Sequence, residues 1–185
     1  MDFFATIVFN LNPTVNRYYL FGKLPMPLEI ERKFLLINDD WRAKANNGVV
    51  MRQGYLNSIS LNVEQKSSVR VRIAGEQASL NIKGATLSIT RREYEYPIPL
   101  RDAHELLDSL ADGPLIEKKR YHVQHDAHVW EIDVFMGDNE GLVVAEIELA
   151  SEDEVFSRPA WLGEEVSADA RYYNVCLVRH PYKKW

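Results

Sequence analysis

Residues 68–83 read Ser-Val-Arg-Val-Arg-Ile-Ala-Gly-Glu-Gln-Ala-Ser-Leu-Asn-Ile-Lys. Two alternating runs, Ser68 to Ala74 and Gln77 to Lys83, flank Gly75-Glu76, a two-residue hairpin signal. Side chains on a strand point to opposite faces in turn. Arg70 and Arg72 therefore share one face, with Val69, Val71 and Ile73 on the other. Lys83 stands opposite Leu80 and Ile82.

The same period of two extends outward in both directions. Upstream it marks strands at Leu28 to Ile37 and Val49 to Ile59. Downstream it marks Leu87 to Pro97, Leu115 to Gln124, His128 to Phe135, and Gly141 to Ala150 after the turn at Gly137-Asp138-Asn139. With the central hairpin this gives roughly eight strands. Helices are few. Asp102 with Glu105 reads as an N-cap close to a capping box, with Leu106, Leu107 and Leu110 as the apolar side. Ser151 with Glu154 reads as a second short helix stopped by Pro159, and Ser167 as the cap of a last helix near Asp169 to Val178. The expected architecture is mainly β (α+β): an eight-stranded antiparallel barrel, or tunnel, with a few flanking helices.

On most strands one face is charged. Glu29, Glu31 and Lys33 share a side of the first strand. Arg91, Glu93 and Glu95 share a side of the fifth, Lys118 and Arg120 of the sixth, Glu131 and Asp133 of the seventh, and Glu146 and Glu148 of the eighth. For any one strand the ordinary reading is a solvated sheet face. The recurrence on strand after strand, with basic and acidic groups mixed, points instead to the lining of a closed barrel. Such a lumen has a chemical use. Arg and Lys bind phosphate oxygens by charge-assisted hydrogen bonds, and carboxylates two residues apart can reach one Mg²⁺ or Mn²⁺. A polyanion bridged to protein through a metal needs both.

Composition narrows the field. The chain has 185 residues and is 26% charged with a formal net charge of −5, which suits one soluble domain and argues against general nucleic-acid binding. No apolar run is long enough to span a membrane as a helix. Cys176 is the single cysteine and excludes an intrachain disulfide; it reads as a buried thiol on the last helix, and a cytoplasmic protein is the simplest expectation. Residues 1–26 have no basic n-region and read as a poorly packed extension or an upstream start, before a single domain at 27–185. His122, His125 and His128 lie around a hairpin turn, where three-residue spacing does not gather ligands on one face.

These residues resemble the CYTH family, or triphosphate tunnel metalloenzymes. Glu29-Ile30-Glu31-Arg32-Lys33 resembles its ExExK signature. Val69 to Arg72, Leu80 to Gly84, Arg91 to Glu95, Glu117 to Tyr121, Glu131 to Phe135 and Ala145 to Leu149 resemble its later segments in order. Gly163 to Ser167 with Arg171, Tyr172 and Asn174 resembles its C-terminal stretch, with Ser167 where the pattern has Thr. The cover is residues 28 to about 178. Arg52-Gln53-Gly54-Tyr55-Leu56 is similar to a segment of the short bacterial members, whose activity is inorganic triphosphatase; adenylate cyclases and thiamine triphosphatases share the family.

The resemblance implies a small-molecule triphosphate substrate and Mg²⁺ or Mn²⁺ as cofactor. It implies Lys33 and Tyr55 as a dyad preparing the attacking water. Glu29, Glu31, Glu146, Glu148 and Asp133 are the expected metal ligands. Arg52, Arg70, Arg72, Lys83, Arg91, Lys118 and Arg120 are the expected substrate contacts, with Glu93 and Glu95 as further tunnel acids. No nucleic-acid or membrane partner is expected, and a homodimer is left open.

Overall fold

The structure is a computed structural model that describes residues 28–57, 66–84 and 88–185. The expected extension at 1–26, and the expected strand ends at Ile59 and Leu87, lie outside the described residues.

Eight strands close a ring. In chain order they are β1 (Leu28–Leu36), β2 (Val49–Tyr55), β3 (Ser67–Ala74), β4 (Gln77–Gly84), β5 (Thr90–Pro97), β6 (Ile116–His125), β7 (His128–Phe135) and β8 (Val143–Glu148). Around the barrel the order is β5-β4-β3-β2-β6-β7-β8-β1, and β1 pairs back to β5. All pairings are antiparallel. The closure between β1 and β5 is short, running from Leu28↔Arg92 to Ile30↔Thr90.

A ninth strand was not expected. β9 (Leu162–Glu165) pairs with the C-terminal half of β1, on the edge whose other half holds β5. The bond from Val166 N to Lys33 O (2.9 Å) and that from Lys33 N to Ser167 Oγ (2.9 Å) extend this contact.

Three apolar clusters surround the ring. On the outer face of β1, β6, β7 and β8, Phe34, Val123, Trp130, Ile132, Ala145 and Ile147 pack beneath Trp41, Trp161 and Leu162. Trp161 meets Trp130 edge to face, with centroids 5.5 Å apart. On β3 and β4, Val71, Ile73 and Ala78 pack against Ala103 and Leu107 of α1 (Leu100–Ser109). The third cluster lies at one end of the lumen. There Tyr55, Ile116, Phe135 and Val144 meet Leu177 and Val178 of α2 (Asn174–Arg179). The lining changes from charged to apolar at that end, and α2 closes it.

The helical expectations are corrected in three places. α1 begins two residues before Asp102, with Pro99 at the N-cap and no side-chain cap. Asp102 lies in the first turn, where the helix dipole favours a carboxylate. No helix forms between Ser151 and Pro159. The Glu154 carboxylate there accepts from the Ala150 N–H (2.5 Å) and from His128 Nε2 (2.8 Å), a local alternative that competes with helix formation. Ser167 caps no helix either. The last segment is a 3-10 turn, Ala170–Tyr172, capped by Asp169, and then the short α2. Cys176 is half-buried rather than buried, and burial pushes its thiol pKa up. No described helix is long and apolar enough to cross a membrane.

Candidate active site

Residues that face each other across a ladder share a face, so the register identifies the lumen. On β1 and β8 the pairs are Glu31↔Glu148 and Lys33↔Glu146. Glu146 is also level with Glu131, and Arg120 with Asp133. Glu29 stands beside Arg91. Lys83 faces Glu93, and Asn81 faces both Arg70 and Glu95. Tyr55 faces Arg70, and Gln53 faces Arg72. Every expected site residue lies on this inner wall except Arg52. That side chain is level with Ile73, on the outer face, and donates to Asp108 on α1 (2.8 Å). Its expected contact with substrate is corrected accordingly.

The lumen groups form two ion-pair clusters. In one, Lys83 Nζ donates to Glu29 Oε2 (2.8 Å) and pairs with Glu93 (3.1 Å), while Arg91 reaches Glu29 (2.9 Å) and Glu31 (3.3 Å). In the other, Arg120 donates to both Asp133 oxygens (2.7 and 2.5 Å) and to Glu146 (2.5 Å), and it also meets Glu131. Lys118 is bonded to Asp133. Lys33 joins the clusters, with Nζ donating to Glu31 (2.5 Å) and to Glu146. Arg72 makes a forked contact with Glu95, both at 3.0 Å, whereas Arg70 reaches Glu93 at 3.8 Å.

Burial and charge pull these groups in opposite directions. Burial would lower the Lys33 pKa, but the carboxylates of Glu146 and Glu31 outweigh it and hold the amine above the ordinary lysine range. The sequence places cations and acids around Lys33; the structure decides between them in favour of the protonated form. Burial would raise Glu146, but Lys33, Arg120 and Lys118 keep it well below the usual carboxylate range. Lys118 falls to about 8, because burial and neighbouring Arg120 outweigh Asp133. Burial raises the Tyr55 phenol, against the opposing charge and hydrogen bond of Arg70.

β1 and β2 lie opposite each other in the ring, so Lys33 and Tyr55 approach from facing walls. A further aromatic stands by Lys33: Tyr173, whose ring centroid is 5.7 Å from Nζ and whose hydroxyl donates to Ser167 O (2.8 Å).

Among the described residues, no three acidic, imidazole or thiol groups are gathered into a ready metal cage. The donor set still fits a hard cation. Glu31 and Glu146 already converge on one positive charge, the Lys33 ammonium. Mg²⁺ is commonly held by one or two carboxylates together with substrate phosphates rather than by an all-protein cage. The three histidines share no ligand: His122 meets Glu131 of the lumen, His125 meets Ser157 and His128 meets Glu154.

Sequence reasoning passed over Gln53, Asn81 and Tyr173 as site residues. The first two are neutral groups on the charged parity of their strands, so alternation alone would have found them. Tyr173 reaches the lumen through tertiary packing, which no local pattern announces.

Comparison with known proteins agrees with this architecture. The chain is 46% identical over 160 residues to an inorganic triphosphatase of Acetivibrio thermocellus, covering 86% of this chain and 99% of that protein. It is 37% identical over 154 residues to one from Nitrosomonas europaea, covering 81% and 96%. A crystal structure described as an inorganic triphosphatase superposes with a TM-score of 0.58 at 34% identity, covering 81% and 93%. The CYTH domain profile matches residues 27–179, and the chain belongs to the CYTH domain family.

Proposed function

We propose that this chain hydrolyses inorganic triphosphate to diphosphate and orthophosphate inside the tunnel, with a divalent cation as cofactor. The observation that carries the reading is a closed lumen whose wall mixes basic and acidic side chains on neighbouring strands. A bare polyanion would be repelled by the carboxylates, and a bare metal by the ammonium and guanidinium groups. A metal-bound triphosphate satisfies both. Relatives named inorganic triphosphatase, matched over 99% and 96% of their own length, support the choice of substrate.

Arg70, Arg72, Lys83, Arg91, Lys118 and Arg120 contact the phosphoryl oxygens, exchanging carboxylate partners for phosphate. Glu29, Glu31, Glu146 and Glu148, with Asp133, hold Mg²⁺ or Mn²⁺, which when bound neutralises charge on the departing diphosphate. Glu93 and Glu95 keep Lys83 and Arg72 in place. Water attacks the terminal phosphorus, the bridging P–O bond breaks, and diphosphate leaves with the bonding electrons. The water's proton passes to neutral Lys33, a form favoured as Glu31 and Glu146 turn away from the amine. Tyr55, kept as a neutral phenol, orients that water from the facing wall. The closed end at α2 keeps bulk water from the inner part of the lumen. The reading carries a cytoplasmic location and no nucleic-acid or membrane partner.

The test is phosphate release from tripolyphosphate, with ATP and thiamine triphosphate in parallel, in Mg²⁺, Mn²⁺ or EDTA. Fast release from tripolyphosphate that is lost in EDTA is the expected result. Release only from ATP or thiamine triphosphate, or none at all, overturns the proposed substrate.

A further inference from the structure

Gln53 is fully buried at 0% exposure on the lumen face of β2, and neither its Nε2 nor its Oε1 has a hydrogen-bond partner among the described residues. Buried polar side chains are ordinarily paired, and one left unpaired costs stability. Gln53 differs here from another neutral lumen amide. Asn81 Nδ2 donates to Glu93 (2.9 Å) and Glu95 (2.5 Å).

The orphan does not stand alone. Gln53 is level with Arg72 on β3, and two residues along the same face comes Tyr55, which is level with Arg70. Arg70 Nε is likewise buried and without a partner, and its nearest carboxylate contact is the loose 3.8 Å approach to Glu93. Elsewhere in the lumen, Lys33, Lys83, Arg91 and Arg120 each engage carboxylates at shorter range. Unused donors are thus concentrated on the β2–β3 wall, beside Tyr55. A carboxamide with a guanidinium beside it suits an anion that brings several oxygens at once. Arg70 supplies charge, and Gln53 supplies a directed neutral donor that need not be drawn off a carboxylate first.

We propose that Gln53 is a substrate-contacting residue, its Nε2 donating to a phosphoryl oxygen of triphosphate seated against the β2–β3 wall beside Arg70. The proposal rests on the triphosphatase reading above and adds a recognition group to it. It implies that the free protein carries an unsatisfied amide whose compensation arrives with the substrate.

That implication separates a substrate contact from a structural one. Gln53→Met keeps nearly the same unbranched bulk without the amide, and Gln53→Glu keeps the shape but adds a negative charge. Thermal melting is measured for each in Mg²⁺, with and without a triphosphate analogue whose bridging oxygens are replaced by NH, so that the ligand is not consumed. KM and kcat are then measured with Mg²⁺.

The expected result for Gln53→Met is a melting temperature in the free state equal to or above that of the wild type. Its ligand-induced shift is smaller, and its KM for tripolyphosphate is raised about 10-fold or more. Gln53→Glu loses still more, because its carboxylate repels the phosphate. A Gln53→Met protein with a wild-type ligand shift and KM overturns the proposal while leaving the triphosphatase reading intact. So does one that is destabilised when free but binds normally, since the amide then serves only the fold. If the wild type neither turns over tripolyphosphate nor is stabilised by the analogue in Mg²⁺, the triphosphatase reading fails, and the Gln53 contact fails with it.

Discussion

Lys33 and Glu146 are register partners on β1 and β8, and the ammonium of one is bonded to the carboxylate of the other. The pair makes stability and rate depend differently on pH. The Lys33 pKa is raised on folding, so its contribution is fully present below the unfolded lysine value of about 10.4 and is lost as pH rises through the folded value. The Glu146 pKa is depressed, so its contribution is present above the unfolded value near 4.5 and is lost as pH falls through the folded one. This pair should leave stability level across neutral pH. The rate, if neutral Lys33 takes the proton, should climb from pH 6 towards pH 10. A kcat that stays flat over that range removes Lys33 as the base. Lys33→Arg keeps the charge but not the base, and should cost about 10²-fold or more in kcat with the fold retained.

Asp133 is wholly buried beneath two cations, Lys118 and Arg120. Asp133→Asn leaves both with less compensation in a low-dielectric lumen. The expected loss is about 3–5 kcal/mol in urea denaturation at neutral pH, the range for breaking a buried pair from one side. A loss under about 1 kcal/mol would show that the cations relax toward Glu131 and Glu146.

Arg52→Ala should leave KM and kcat for tripolyphosphate unchanged. The side chain is outside the barrel, and its partner Asp108 is well exposed, so the stability cost should be about 0–1 kcal/mol. A raised KM would mean that substrate reaches the outer face of β2.

Gly54 lets Leu107 of α1 and Ala111 and Leu115 of the segment after it pack closely on β2. A Cβ there would lie 2.6 Å from Leu115 Cδ2, 3.0 Å from Leu107 Cδ2 and 3.1 Å from Ala111 Cβ. Gly54→Ala should therefore cost about 1–3 kcal/mol by overpacking. Since its neighbours Gln53 and Tyr55 face the lumen, KM should move as well if the strand shifts. Melting and kinetics on one variant measure both.

Much of the barrel was legible because a period of two is a local property that tertiary context rarely overrides on charged strands. Arg52 shows how that reading was set aside. It stands three positions before Tyr55, so on one strand the two cannot share a face; grouping them as one site followed the resemblance of the whole segment over its parity. The Ser151 helix and the Ser167 cap failed for another reason. A Ser or Asp near a Glu fits a cap, but the same oxygens can bond a distant strand, as Ser167 does with Lys33. β9 was illegible because a four-residue strand carries too little alternation to stand out. The sign of the Lys33 pKa shift depends on interatomic distances that sequence does not contain.

β1 also bears on how the barrel is assembled. One of its edges is covered by β8 and the other by β5 and β9, so the first described strand is completed only by strands more than a hundred residues later. While the chain is being synthesised, that strand waits with open backbone groups, the situation in which strands recruit the wrong partner. Glu29, Glu31 and Lys33 make a poor template for a foreign edge, since a mispaired strand would have to cover their charge. The same charges that line the closed ring would thus disfavour mispairing of this strand until β8 and β9 arrive.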